Sequence, residues 1–212
     1  MSTTKVQETY VPVRDEVRHR HKFENDFARV YDVLIPPGDM SDYHEHVEDT
    51  LYVCIAPVAM TDQVWGEEDV NQFNVPAGIS MCRPHRCDPL IHRVGNIGSN
   101  DMHMVGVEVK ASPPWVAAAP LQAKGHTELW DHTRMRAYRL SLESQESTGA
   151  FTYDFYGVTI LLADTNYHYT DAVSSRSMAL KAGDVIWHEG PLQQSITNLG
   201  ESPLEAIVVE WL

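Results

Sequence analysis

Short runs rich in Val, Ile, Tyr and Trp recur along the chain at 29–35, 50–56, 102–109, 153–162, 184–187 and 204–211. Turn clusters such as Pro36-Pro37-Gly38, Pro76-Ala77-Gly78 and Lys181-Ala182-Gly183 punctuate the chain between them. No stretch longer than about 12 residues sustains the 3.6-residue period of a helix. Many short strands with frequent turns predict an all-β sandwich or barrel.

The pattern occurs twice. Pro89-Leu-Ile-His-Arg-Val-Gly-Asn-Ile-Gly98 returns as Pro191-Leu-Gln-Gln-Ser-Ile-Thr-Asn-Leu-Gly200. A closing strand follows each copy, Val105-Gly-Val-Glu108 and Ile207-Val-Val-Glu210. A tight turn precedes each, at Gly78 and Gly183. Self-similarity at a spacing of about 102 to 105 residues implies two tandem copies of one β-domain. The expected organisation is an N-terminal arm over 1–25, a first barrel over 26–115 and a second over 116–212. The Pro- and Ala-rich stretch 111–124 reads as the linker between barrels.

Composition narrows the function classes. The chain has 212 residues, 43% of them hydrophobic, which is enough to fill a core. Its formal net charge of −14 argues against nucleic-acid binding, which needs a basic surface, and against docking on anionic lipid. No apolar run approaches a membrane span of roughly 18 residues, and the first residues lack a signal-peptide core. Cys54, Cys82 and Cys87 are too few and too odd in number for a disulfide framework. A soluble cytoplasmic protein is expected.

The candidate chemistry lies in the first copy. Gly38 is followed by His44 and His46 in a G-x5-H-x-H pattern, and His92 opens an H-x3-N pattern that ends at Asn96. Alternate residues of a strand point to one face, so His44 and His46 project together. A third imidazole must come from another strand, and His92 is the candidate. Neutral imidazole suits Zn, Fe, Ni and Cu. With the Pro76-Ala77-Gly78 turn, these segments resemble the two sequence motifs of the cupin superfamily over roughly 28–110, with a degenerate echo over about 136–212. The resemblance implies two tandem cupin (jelly-roll) barrels and one divalent metal ion per chain. Fe(II) is favoured, with Zn(II), Mn(II) and Ni(II) as alternatives.

The chain departs from that pattern. The glutamate that usually follows the second histidine is replaced, its two permitted positions being Thr50 and Leu51. Glu48 has the parity to substitute, though it falls near a turn. The segment from Cys82 through His85 to Cys87 reads as a loop at the barrel mouth with buried thiols, or as a lid with His85 facing the pocket. His19-Arg20-His21 repeats the H-x-H spacing without the glycine before it and reads as a solvated arm segment. Tyr52 and Cys54 continue the inward parity of His46. Aligning Tyr31 with Tyr138 puts Phe151 at the His44 position and Tyr153 at that of His46; the second repeat puts Gln194 at that of His92. The second barrel is therefore expected to hold no metal, and to serve as a built-in dimer partner or to shape the substrate entrance.

Three-histidine ligation resembles the cupin-type non-haem iron dioxygenases, which implies a small organic acid or diketone as substrate. The alternatives are a non-redox lyase, isomerase or hydrolase, in which Glu48, Tyr52 or His85 moves a proton, and a ligand-binding cupin with a structural metal. The expected partners are a small-molecule substrate and, as an option, a second copy in a homodimer.

Overall fold

The extended stretches pair into four sheets in the computed structural model, which describes residues 9–212. The first half lays down β1 (Val11–Pro12), β2 (His19–Glu24), β3 (Ala28–Ile35), β4 (His44–His46) and β5 (Thr50–Cys54). It continues with β6 (Val58–Val64), β7 (Asn71–Val75), β8 (Ser80–Arg83), β9 (Leu90–Asn96) and β10 (Met102–Val109). The second half lays down β11 (His126–Asp131), β12 (Met135–Leu142), β13 (Phe151–Tyr153), β14 (Tyr156–Leu161) and β15 (Thr165–Asp171). It ends with β16 (Ser175–Leu180), β17 (Val185–Glu189), β18 (Leu192–Asn198) and β19 (Leu204–Trp211). The first half builds sheets β1-β4-β9-β6-β7 and β2-β3-β10-β5-β8. The second builds β11-β12-β19-β14-β17 and β13-β18-β15-β16. The protein is all-β, with tandem barrels of the jelly-roll kind.

Three cores follow from strand alternation. Along β10, Met102 and Met104 face the interior of the first barrel, while Val105, Val107 and Val109 face away from it. Along β19, Leu204, Ala206 and Val208 fill the second barrel, while Ile207, Val209 and Trp211 face away. The two outward sets meet, so the barrels pack sheet against sheet through a third core. Strands buried on both faces favour apolar residues on both, which is why β19 is apolar except at Glu205 and Glu210, each of which is held by an arginine. Each fully buried aliphatic side chain of this kind contributes about 1.5–3 kcal/mol.

Registers confirm the internal repeat. His44 faces His92 across β4 and β9, and Phe151 faces Gln194 across β13 and β18. A buried ion pair beneath the first barrel, Arg29–Glu108 at 2.7 Å, has its counterpart in Arg136–Glu210 at 2.8 Å. Asn96 and Asn198 each accept the N–H of the glycine two residues on, Gly98 and Gly200, at 2.9 and 2.8 Å. The repeated Asn-x-Gly is thus a side-chain-locked turn. Gly78 and Gly183 adopt φ of +77° and +86°, which explains glycine at both preceding turns.

Two expectations change. The run 153–162 is broken by Asp154 and Phe155, so that β13 joins one sheet and β14 the other. The stretch read as an arm contributes β1 and β2 to the two sheets of the first barrel, its first eight residues lying outside those described. Among the described residues no helix is long and apolar enough to cross a membrane.

Candidate metal centre

The interior of the first barrel is not filled. A cavity of about 590 Å³ opens between its sheets, lined by Val33, Met60, Phe73, Met81, Met102 and Met104 on its apolar side. Its polar side holds His19, His44, His46, His92, Tyr52 and His85. His44 and His92 approach because they are register partners, and their ring centroids lie 4.7 Å apart. His46 follows on the same face of β4, 4.9 Å from His44 and 5.1 Å from His92.

The two H-x-H motifs meet here. His19, at the start of β2, is 5% exposed, and its ring centroid lies 4.4 Å from that of His44. One nitrogen each from His19, His44 and His46 fall within 4.8 Å of one another. The solvated reading holds for His21, which is exposed, and fails for His19. Strand parity puts both on one face and cannot separate them; their difference in burial is legible only once β2 is placed on the barrel.

The hydrogen bonds fix how each imidazole presents itself. His44 Nδ1 lies 2.8 Å from the Asp42 carbonyl oxygen, which can only accept, so the proton sits on Nδ1 and the Nε2 lone pair is free. His92 Nδ1 is held at 2.8 Å by the Asp62 carboxylate, and His19 Nδ1 at 2.6 Å by that of Glu16. His46 Nδ1 lies 3.2 Å from the Tyr52 hydroxyl, which also lies 3.2 Å from His85 Nε2. His85 Nδ1 reaches the Asp88 carbonyl at 3.4 Å. Read from Asp88, every donor finds an acceptor: His85 to Asp88, Tyr52 to His85, His46 to Tyr52. His19, His44, His46 and His92 are thus each anchored through Nδ1 with Nε2 left over, the arrangement typical of metal-ligating histidine. His92 lines the same cavity but lies outside the tight cluster that His19 forms with His44 and His46.

Two of these Nε2 atoms, those of His44 and His46, are buried without any hydrogen-bond partner. Orphaned buried polar atoms are rare and costly. Their electrostatics suit a cation's ligands. Burial, reinforced by His19 and His92, drives the His44 imidazole down to about 2, and burial and the neighbouring histidines hold His46 well below its usual range. Burial also lowers His19, against the pull of Glu16. Burial would raise Glu16, but the His19 contact and the N–H groups of Arg18 and Asp42 outweigh it and hold the carboxyl at about 2. The result is neutral imidazoles backed by an ionised carboxylate. This donor set fits a divalent ion of the imidazole-preferring kind.

The remaining expected residues divide. Tyr52 and His85 face the cavity. Glu48 does not line it; its carboxylate is taken by Arg86 at 2.6 Å. Thr50 is buried, with its hydroxyl donated to the Glu48 carbonyl at 2.8 Å. Cys82 packs against the core between the barrels, and burial pushes its thiol up to about 12. Cys87 is exposed. Sequence reading overlooked Arg83, which lines the cavity mouth and has no ion-pair partner among the described residues. Asp62, Asp42 and Glu16, the anchors of three imidazoles, carry no motif of their own.

In the second barrel the equivalent space is occupied. Phe151, Tyr153 and Phe155 pack in series, with centroids 4.9 and 4.8 Å apart. His188 packs against Tyr153 with the rings tilted and their centroids 4.7 Å apart.

No family model matches the sequence, and no curated protein matches it. Solved structures place the fold among the cupins. A cupin 2 conserved barrel domain protein from Leptotrichia buccalis aligns with 100% of this chain and 92% of its own, at 8% identity and a TM-score of 0.56. Oxalate decarboxylase from Lactobacillus farciminis, in a formate complex, aligns over 99% and 87%, at 11% identity and 0.60. Salicylate 1,2-dioxygenase from Pseudoaminobacter salicylatoxidans, with gentisate, aligns over 87% and 68%, at 11% identity and 0.58. The chain has the two-barrel cupin fold.

Proposed function

We propose that this protein is a metal-dependent enzyme of small-molecule metabolism, with His44, His46 and His92 holding one divalent ion in the first barrel. The observation that carries this reading is the pair of buried, unpartnered Nε2 atoms of His44 and His46 at the wall of the barrel's cavity. The favoured ion is Fe(II) and the favoured reaction is dioxygenation of a small organic acid or diketone. When bound, the ion supplies Lewis acidity and, as iron, the capacity to react with O₂.

The chain's own residues supply the remaining work. The methionines and valines give the cavity an apolar wall, beside which polar contacts are stronger than in open water. Arg83 at the mouth offers a cation to an acidic substrate in a chain of net charge −14, which supports the organic-acid half of the reading. Tyr52 and His85 form a hydrogen-bonded path from His46 towards the mouth, suited to holding or moving a proton at the substrate. That path also supports a second reading, a non-redox lyase or isomerase, since a proton mover is what such chemistry needs. Glu48, bound to Arg86, has no part in either.

Metal analysis followed by turnover assays separates the readings. O₂ uptake that depends on Fe(II) in the presence of small carboxylic acids or diketones supports the first. Anaerobic turnover with Zn(II) or Mn(II) supports the second. Failure to retain any first-row divalent ion overturns both.

A further inference from the structure

The site lacks the carboxylate ligand that the sequence pattern leads one to expect. Thr50 and Leu51 stand at its two permitted positions, the Thr50 hydroxyl is committed to the Glu48 carbonyl, and Glu48 itself is committed to Arg86. Meanwhile a buried histidine from a different strand enters the same space. We propose that His19 is a fourth protein ligand of the ion, brought to it by β2 and aimed by Glu16. This rests on the metal reading above and extends it to a four-imidazole site.

Three independent observations carry the inference. The first is proximity: ligand atoms of His19, His44 and His46 form the cluster within 4.8 Å. The second is orientation. Glu16, 2% exposed, accepts from His19 Nδ1 at 2.6 Å, which leaves Nε2 for the interior. A buried carboxylate placed against a buried imidazole is the outer partner that fixes tautomer and ring plane at metal sites. The third is that Glu16 is shared. It also accepts from the backbone N–H of Arg18 at 2.8 Å and of Asp42 at 3.3 Å, while the Asp42 carbonyl anchors His44. One carboxylate therefore couples the aim of His19 to that of His44.

The consequence is chemical. Four neutral imidazoles leave the ion's full double charge uncompensated in its immediate shell, where a carboxylate ligand would have offset part of it. The nearest negative charges, Glu16 and Asp62, sit one shell out on Nδ1 atoms. An anionic group is thus the complementary occupant of the remaining coordination positions. The segment 11–24 is then part of the metal site, and the ion becomes a cross-link between β2 and β4.

Zinc(II) titration of ¹⁵N-histidine-labelled full-length protein tests this directly. Four histidine Nε2 resonances should shift on zinc binding, with His19 among them. His19→Ala should weaken zinc at least tenfold in chelator competition, and Glu16→Gln about tenfold. His21→Ala, on the same strand but exposed, should leave affinity unchanged. Cobalt(II)-loaded His19→Ala should show an altered visible spectrum. Zinc shifting only His44, His46 and His92 would overturn the fourth ligand while leaving the metal reading intact, and the labelling result does not depend on whether a variant folds. A wild-type protein that binds no zinc or cobalt would overturn both.

Discussion

His126 Nε2 lies 2.9 Å from the hydroxyl of Tyr153, at the two positions that His19 and His46 hold in the first barrel. Where the first barrel turns two imidazole lone pairs towards an open space, the second closes the same gap with a phenol–imidazole hydrogen bond. Phe151 and Gln194 complete the replacement at the His44 and His92 positions. Metal content should therefore approach one ion per chain after loading and desalting. Two ions per chain by elemental analysis would contradict the filled second barrel.

The ligand set makes graded demands. His44→Ala, His46→Ala and His92→Ala should each strongly reduce metal retention, because each removes an anchored Nε2. Asp62→Asn should be milder, about tenfold in affinity, because it disturbs only the partner of His92 Nδ1. Chelator competition measures all four. Equal loss in Asp62→Asn and His92→Ala would mean that Asp62 itself touches the ion.

How far this site was legible in the sequence depends on what fixes each residue. His44, His46 and His92 were readable because strand parity and the repeat both point to them. The second-barrel substitutions were readable for the same reason, and the registers bear out each aligned pair. His19 was not, because its only distinguishing feature is burial by β2, and a polar His-Arg-His-Lys segment looks solvated until the strand is placed. The edge strands β7 and β16 were missed too; being largely exposed, they carry no apolar alternation. Glu16, Asp42 and Asp62 act only through the histidines they anchor, and no spacing rule announces such partners.

Stability should fall with mild acid through His188. This ring is buried in the second barrel, bonded to the Thr159 hydroxyl at 3.2 Å, and burial lowers it to about 4. Because the folded pKa lies below the unfolded one, the unfolded chain takes up the proton first as pH falls. The contribution is complete above roughly pH 6.5 and is lost progressively down to about pH 4. At roughly pH 5.5 the loss from this one group is about 1 kcal/mol. His188→Gln retains a partner for Thr159 but does not titrate. Urea midpoints of the variant should drop less than those of wild type between roughly pH 7.5 and 5.5; parallel curves would rule His188 out.

The core between the barrels rests heavily on Trp211. It is fully buried, and its indole N–H has no hydrogen-bond partner. Trp211→Ala should cost about 3–5 kcal/mol, through lost burial and the cavity left behind. Trp211→Phe should cost much less, because it keeps an aromatic ring against Trp187, 5.5 Å away, and removes an unsatisfied donor. Equilibrium denaturation separates the two; equal costs would show that an aromatic ring against Trp187 contributes nothing to the core.

Tyr52 and His85 decide between a proton path and simple packing. Tyr52 is the joint of the chain, with His46 on one side and His85 on the other, each at 3.2 Å. Burial raises its phenol far above the ordinary range, so it relays a proton as a neutral hydroxyl and does not act as a phenolate base. Burial lowers the His85 imidazole, which leaves it able to accept a proton at neutral pH. Tyr52→Phe removes one hydroxyl and should lower kcat by about 10²-fold, the lower end for a lost acid–base group, with metal content near wild type. His85→Gln keeps a hydrogen-bonding group of similar reach but does not titrate. It should lower kcat comparably and remove the acid limb that His85 contributes to the pH–rate profile. A purely structural role would instead reduce metal retention or stability in both variants and leave the shape of the profile unchanged. Full turnover in Tyr52→Phe would end the relay reading, since without that hydroxyl His85 and His46 keep their ring stacking at 5.1 Å but lose the hydrogen-bonded link between them.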